Sequence, residues 1–187
     1  QPPLYKISRG KSERYVKDEA SLEDSLIDGA LEDAVLTFHT GEQRAGNDLK
    51  LLVDHARHCR KLLDSVSQKY DRSVVEQTAI AGALNPDVLS DPERAIEAAS
   101  YVANRLDMLG ADIERGWEGK PTDDGGLSFT RVLRGITQTH EIDGKLIRSA
   151  EARKLDEQAT ELQDVYLKKA LLQRKDDEFE VRSPTQL

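Results

Sequence analysis

Cysteine is nearly absent from this 187-residue chain. Cys59 stands alone, so no internal disulfide can form, and a single thiol of this kind suits a reducing, cytoplasmic setting. No apolar run approaches the ~20 residues of a membrane span, and no charged-then-apolar leader opens the chain. Basic charge is in deficit: 27 Lys and Arg face 35 Asp and Glu, a net charge of −8. That balance argues against a general nucleic-acid binder, whose affinity comes largely from cations that neutralise phosphates. Glycine-rich phosphate loops of the GxGxxG or GxxxxGK[ST] type do not occur, nor do GxSxG or HExxH. Repeats and low-complexity tracts are missing too. An initiator Met is also lacking, and Gln1-Pro2-Pro3 reads as the interior of a longer chain.

What is present is 37% hydrophobic and 33% charged, a globular composition with room for modest cores. The charge is unevenly spread. Residues 1–17 hold Lys6, Arg9, Lys11, Arg14 and Lys17 against Glu13, a net of +4, which leaves −12 for residues 18–187. The acidic run Asp18, Glu19, Glu23 and Asp24 follows this shift. It sets an expected division into a strand pair, residues 1–19, and a larger domain, residues 20–187.

Leu4-Tyr5-Lys6-Ile7 alternates like a half-buried strand, Arg9-Gly10-Lys11 reads as a turn, and Arg14-Tyr15-Val16 as the returning strand. Ala34 to His39 is a strand candidate ended by Gly41. Leu49, Leu52, Val53, Ala56, Cys59, Leu63 and Val66 recur at steps of three and four, one face of a long helix capped by Asn47 or Asp48. Ser73 with Glu76 predicts a capping box for a second helix that ends near Gly82. Asp91-Pro92 starts a third, with Ile96, Ala99, Ala103 and Leu106 inward and Gly110 as its stop. Beyond it the period changes. Trp117, the Asp123-Asp124-Gly125-Gly126 turn, Leu127-Ser128-Phe129 and the stretch to Ile142 suggest strands. Asp143-Gly144 is a hairpin signal leading to Leu146-Ile147. Ser149 opens a fourth helix with Leu155, Ala159, Leu162 and Tyr166 on one face, and Phe179-Glu180-Val181 is a last strand. The expected class is α+β: a helical block of one long helix and two shorter ones, then a small, mostly antiparallel sheet with a packed helix.

Few constellations carry chemistry. His55 and Cys59 lie at i and i+4, with His58 beside them, and could place two metal ligands on one helix face. His39 and His140 are remote in sequence, and Cys59 falls on the apolar stripe, where a free thiol behaves as a small core hydrophobe. The favoured reading is therefore no metal site. Asp123-Asp124 is read as a turn rather than a carboxylate pair, and Asp176-Asp177-Glu178 as a solvated loop. The basic segment has the one functional colour: Lys6, Arg9, Lys11 and Arg14, interleaved with Tyr5 and Tyr15, suit a DNA-facing hairpin as well as a solvated one. No residue is assigned a catalytic role.

The string QPPLYKISRGKSERYVKDE, residues 1–19, resembles the segment of type IIA topoisomerase B subunits that comes after the metal-binding Asp-x-Asp of their TOPRIM domain. The pattern is met by Gln1, Pro2, Pro3, Leu4, Tyr5, Lys6, Gly10, Lys11, Tyr15 and Asp18. In length, the remaining chain is similar to the large insert that interrupts TOPRIM in the gyrases of many Gram-negative bacteria. The resemblance implies a parent activity of ATP-dependent negative supercoiling through a double-strand break. Mg²⁺ and ATP would be bound outside this chain, and none of the residues that hold them can be carried over. It implies an A₂B₂ assembly with the gyrase A subunit, DNA reached through the parent, and an insert that buttresses TOPRIM against the A subunit. Lys6 and Lys11 are its best candidates for phosphate proximity. The rival reading is an independent acidic module that binds a basic partner or mimics DNA; a small hydrolase would need a convergent polar pocket.

Overall fold

Residues 5–9 and 12–187 are described in the computed structural model, with backbone only at Arg9 and Ser12, and their elements fall into two compact units. The first takes the described part of Gln1–Leu52 with Leu171–Phe179; the second takes Val53–Ala170 and Glu180–Leu187. The expected turn at Gly10-Lys11 and the Gln1-Pro2-Pro3 entry lie outside the described residues.

In the first unit, β1 (Tyr5–Arg9) and β2 (Ser12–Val16) pair antiparallel as expected, Tyr5 opposite Val16 and Lys6 opposite Tyr15. Asp18, read only as part of an acidic run, accepts from the Ser21 N–H and caps α1 (Glu19–Leu31), the usual task of Asp at this position. Helix α1 touches β1 and β2 yet buries no residue completely. A four-stranded sheet comes next, in the order β4 (Gln43–Ala45), β3 (Ala34–Thr37), β8 (Ala170–Arg174), β9 (Asp177–Val181). β3 runs antiparallel to both β4 and β8. Ala34 and Leu36 are buried there with Leu49, in the first turns of α2 (Gly46–Ser65). The run Asp176-Asp177-Glu178 is not a free loop. Lys175, at φ 53, turns the chain, and Asp177 and Glu178 are exposed residues of β9.

The second unit is built around α3 (Arg72–Ile80), in which every residue from Val74 to Ile80 is buried. Its cap is Asp71, which accepts from the Val74 N–H, and not Ser73. Glu76, assigned by sequence to a capping box, bonds instead to the C-terminal segment at Thr185. The remainder of α2 presents Val53, Ala56, Cys59 and Leu63 as a buried stripe at the expected spacing. A short α4 (Pro86–Leu89) leads to α5 (Pro92–Leu109), capped by Asp91 and stopped at Gly110 as expected. Its inner face is Ala95, Ala99, Val102, Ala103 and Leu106, whereas Ile96, expected inside, is 56% exposed.

A three-stranded antiparallel sheet packs on α5 in the order β5 (Glu118–Pro121), β6 (Leu127–Leu133), β7 (Ile136–Ile142). Leu127, Phe129 and Ile142 are its buried apolar residues, with Ser128 buried beside them. Gly119 sits so close to α5 that a Cβ there would run into the backbone carbonyl of Ala99. The β6–β7 turn is Arg134-Gly135, both at positive φ. The Asp143-Gly144 pair is no hairpin: Asp143 accepts from the Leu146 N–H and caps α6 (Gly144–Ile147). Ser149 caps α7 (Ala150–Asp156) as expected, but the helix breaks before α8 (Ala159–Tyr166), leaving Leu155, Leu162 and Tyr166 buried and Ala159 half-buried. Antiparallel sheets and helices in this alternation are the α+β class expected from the sequence.

Candidate functional site

Strand pairing decides what the basic hairpin can present. Directly opposed residues share a face and alternate residues change face. Lys6 therefore lies with Tyr15 and Glu13, and Arg14 lies on the other face with Ile7 and buried Val16. Lys6 Nζ is 2.7 Å from Glu13 Oε1 and 5.9 Å from the Tyr15 ring centre. It is thus an exposed cation already engaged by a carboxylate and an aromatic face. Arg14 is exposed. The side chain of Arg9 and the whole of Lys11 lie outside the described residues, so the structure brings together no four-cation cluster that can be measured.

The His55 region is a packed junction in the second unit. His55 Nε2 lies 2.9 Å from Glu161 Oε2, 3.1 Å from Gln158 Oε1 and 3.6 Å from Cys59 Sγ. Cys59 is buried, and that burial, helped by the nearby charges of Glu161 and Glu76, pushes its thiol up to about 11. Such a thiol is a poor nucleophile and a poor metal ligand at neutral pH. His39 and His58 are exposed, and His140 stacks obliquely on Trp117 with ring centres 5.5 Å apart. Among the described residues no group of three or more His, Cys, Asp or Glu is placed to hold a metal ion.

The acidic pairs are structural. Asp124 accepts from Thr122 Oγ1 at 2.5 Å and from the Gly144 N–H at 2.7 Å, bonds that hold its carboxyl below the ordinary range. Asp143 accepts from Lys69 Nζ and Tyr70 OH, both at 2.7 Å, and is held still lower by them. Both arrangements fasten turns.

Sequence reasoning missed a polar grouping of the second unit. Arg105, Gln77, Lys168, Lys169 and Arg182 converge on one cleft. They are separated by up to about a hundred positions, and no local pattern joins them. Equally unforeseen, Glu76 accepts from both the N–H and the hydroxyl of Thr185, at 3.0 and 2.9 Å, which ties the C-terminal segment to α3. Burial raises the Glu76 carboxyl against the opposing pull of those bonds. Among the described residues no helix is long and apolar enough to cross a membrane.

Comparison with known proteins gives two family matches. The family described as DNA gyrase B subunit insert domain matches residues 34–186, and that described as the gyrase B hook matches residues 3–31. The DNA gyrase B subunit of Caulobacter vibrioides is 35% identical over 187 residues, which is 100% of this chain and 22% of that protein. Its counterpart in Rickettsia bellii is 30% identical over 186 residues, 99% of this chain and 23% of its own length. That of Helicobacter pylori is 27% identical over 138 residues, 74% and 16%. The chain spans about a fifth of the length of the first two.

Proposed function

The chain belongs to the DNA gyrase B subunit insert-domain family, and from that premise we propose that it acts inside a cytoplasmic, ATP-driven type IIA topoisomerase as a non-catalytic connector. In this reading the parent supercoils DNA negatively, with ATP and Mg²⁺ bound outside this chain. The insert buttresses the TOPRIM domain against the gyrase A subunit in an A₂B₂ assembly. The hairpin carrying Lys6, Arg9, Lys11 and Arg14 is the DNA-proximal part.

The observation that carries the proposal is the charge division: +4 over residues 1–17 and −12 over residues 18–187. A duplex carries one negative charge about every 1.7 Å, so an acidic body repels it unless cations are concentrated on one face. Help from such a body in DNA handling must therefore come through protein contacts. The second support is chemical. The polar residues of the described chain are used largely in caps, turns and tethers, and in the one thiol–imidazole contact noted above, Cys59 with His55, burial raises the thiol and works against a nucleophilic role.

The test is removal of residues 34–182 from a full-length subunit of the family. We expect weaker association with the A subunit and slower supercoiling, with ATP hydrolysis by the isolated subunit unchanged. Unaltered A-subunit affinity and supercoiling would overturn the connector role. For the hairpin, Lys6→Ala with Arg14→Ala should weaken duplex binding by the full-length subunit. It should also lower the salt slope by roughly one unit per phosphate contact. An unchanged slope would remove the hairpin from the DNA path.

A further inference from the structure

The second unit contains a cleft of about 300 Å³, at the small end of the range for ligand pockets. Its walls are apolar where Met108, Leu109 and Leu167 line it, and cationic where Arg105, Lys168, Lys169 and Arg182 do. Arg105 is only 3% exposed. Its guanidinium donates to three neutral acceptors: Gln77 Oε1 at 3.0 Å, the Tyr166 carbonyl at 2.9 Å and the Leu167 carbonyl at 3.3 Å. No carboxylate reaches it among the described residues. Guanidinium offers five N–H donors, so two remain. Gln77 Nε2, also buried and at the same cleft, has no partner among the described residues.

The other cations do not redress this. Lys169 and Arg182 share a single carboxylate, Glu180, at 2.6 and 2.8 Å, while Arg182 also donates to the Met108 carbonyl. Lys168 is exposed, with no ion pair among the described residues. Four cations with one anion thus gather at one cleft of a chain whose net charge is −8. The last carbonyls of α8 offset part of the Arg105 charge, since a helix C-terminus carries roughly half a negative charge. The remainder is a buried cation lacking its counter-ion, an arrangement that desolvation disfavours unless something compensates it.

We propose that this cleft binds an organic carboxylate. The carboxylate would meet the free Arg105 and Gln77 donors and the Lys168 ammonium, and an apolar body would lie against Met108, Leu109 and Leu167. A planar carboxylate matches the guanidinium fork better than a point acceptor does, and the apolar walls favour an organic anion over a hydrated inorganic one. The volume takes roughly ten heavy atoms, at about 30 Å³ each. The carboxylate can be that of a free small acid or the terminus of an apolar polypeptide segment.

The 187-residue chain is titrated with 4-phenylbutyrate, its uncharged amide, inorganic phosphate, and an acetylated leucine with a free carboxylate, which stands for a polypeptide terminus. The readout is the NMR resonances of the Arg105 Nε–H and the Gln77 side-chain amide. We expect saturable shifts at both with the carboxylates, at least tenfold weaker binding of the amide, and at least threefold weaker carboxylate binding in Lys168→Glu. Whichever carboxylate saturates at the lower concentration identifies the source. Met108→Glu, which places a negative charge on the half-exposed apolar wall, should weaken carboxylate binding at least tenfold while leaving the fold intact by circular dichroism. The proposal fails if the amide binds as well as the acid, if phosphate binds more tightly than either carboxylate, or if no saturation occurs by about 10 mM. None of these outcomes depends on the connector reading, which rests on the A subunit.

Discussion

Glu76 offers a perturbation whose outcome separates hydrogen bonding from charge. It is 4% exposed on α3 and accepts twice from Thr185. Hydrogen bonds to a charged group contribute about 1.5–3 kcal/mol each, and desolvating the carboxylate takes much of that back. Glu76→Ala removes both bonds but lets the C-terminal segment swing out and hydrate, so we expect a loss of about 2–3 kcal/mol. At roughly 3 °C per kcal/mol for a protein of this size, the melting point should fall by about 6–9 °C. Thr185→Ala leaves the N–H bond in place and should cost about 1 kcal/mol.

Glu76→Gln behaves differently. Its carbonyl can accept the Thr185 N–H, and its amide can donate to the Thr185 hydroxyl, which in turn reaches Ser183 Oγ 3.0 Å away. The native carboxyl is raised above its ordinary value of 4.5 because burial outweighs those bonds. A raised acid adds stability that is present below the ordinary value and is lost as pH rises through the raised one. Wild type should therefore lose stability relative to Glu76→Gln on going from about pH 4 to pH 7, and the two should be level or favour Gln at neutrality. Urea unfolding followed by circular dichroism at several pH values measures this. A Glu76→Ala variant within about 0.5 kcal/mol of wild type would refute the tether. A Glu76→Gln variant as damaged as Glu76→Ala at every pH would refute it equally.

Three further expectations test the second unit. Cys59, buried and raised to about 11, should react with a disulfide reagent at pH 8 at least a hundredfold more slowly in the folded chain than in urea; equal rates would mean that the thiol is open. Gly119→Ala should destabilise by about 2–3 kcal/mol, because its methyl must displace the α5 backbone at Ala99; a neutral thermal melt would show that the sheet and helix can separate without cost. Tyr166→Phe should be neutral or stabilising by about 1 kcal/mol in urea unfolding, since the hydroxyl is buried with no partner among the described residues and burial has raised its ionisation; a clear loss would reveal a hydrogen bond to water or to a bound group.

The fold was readable where a local cause decides it. The Asp91-Pro92 start and Gly110 stop of α5, the α2 stripe and the Asp123–Gly126 turn each arise from a few neighbouring residues. Errors arose where one local signal has two outcomes. Asp followed by Gly suits a hairpin, but it equally suits a cap, and Lys69 and Tyr70, over seventy positions away, hold Asp143 in the second role. Asp71 and Ser73 could each cap α3, and burial of everything from Val74 onward fixes the earlier start. Helix α1 escaped notice because its apolar residues bury so little; Leu26 remains 58% exposed. The cleft could not be read at all. Arg105 looks like an ordinary surface arginine on an amphipathic helix, and only the arrival of α3 and the end of α8 makes it a buried cation.

The hairpin was recognisable as a motif, but what its charges can do depends on pairing. Counted along the chain, Lys6, Arg9, Lys11 and Arg14 form one basic cluster; across the ladder, Lys6 and Arg14 occupy opposite faces. A flat phosphate surface could not meet both side chains in the same way. Lys6 is further committed to Glu13, with the two side chains 47% and 51% exposed. Exposed pairs of this kind contribute only about 0–1 kcal/mol and weaken with salt. Exchange of Glu13 for a phosphate is therefore nearly free on the protein side, and release of counter-ions from DNA would favour it. The ion pair is thus no obstacle to DNA contact by Lys6. It holds the lysine against the Tyr15 ring in the absence of DNA and keeps that face close to neutral, so that attraction develops only when a phosphate comes within a Debye length of about 8 Å. A short-range cation on a neutralised face, in a chain whose residues 18–187 carry net −12, fits the proposal above that this segment is delivered to DNA by the rest of a larger protein rather than searching for it alone.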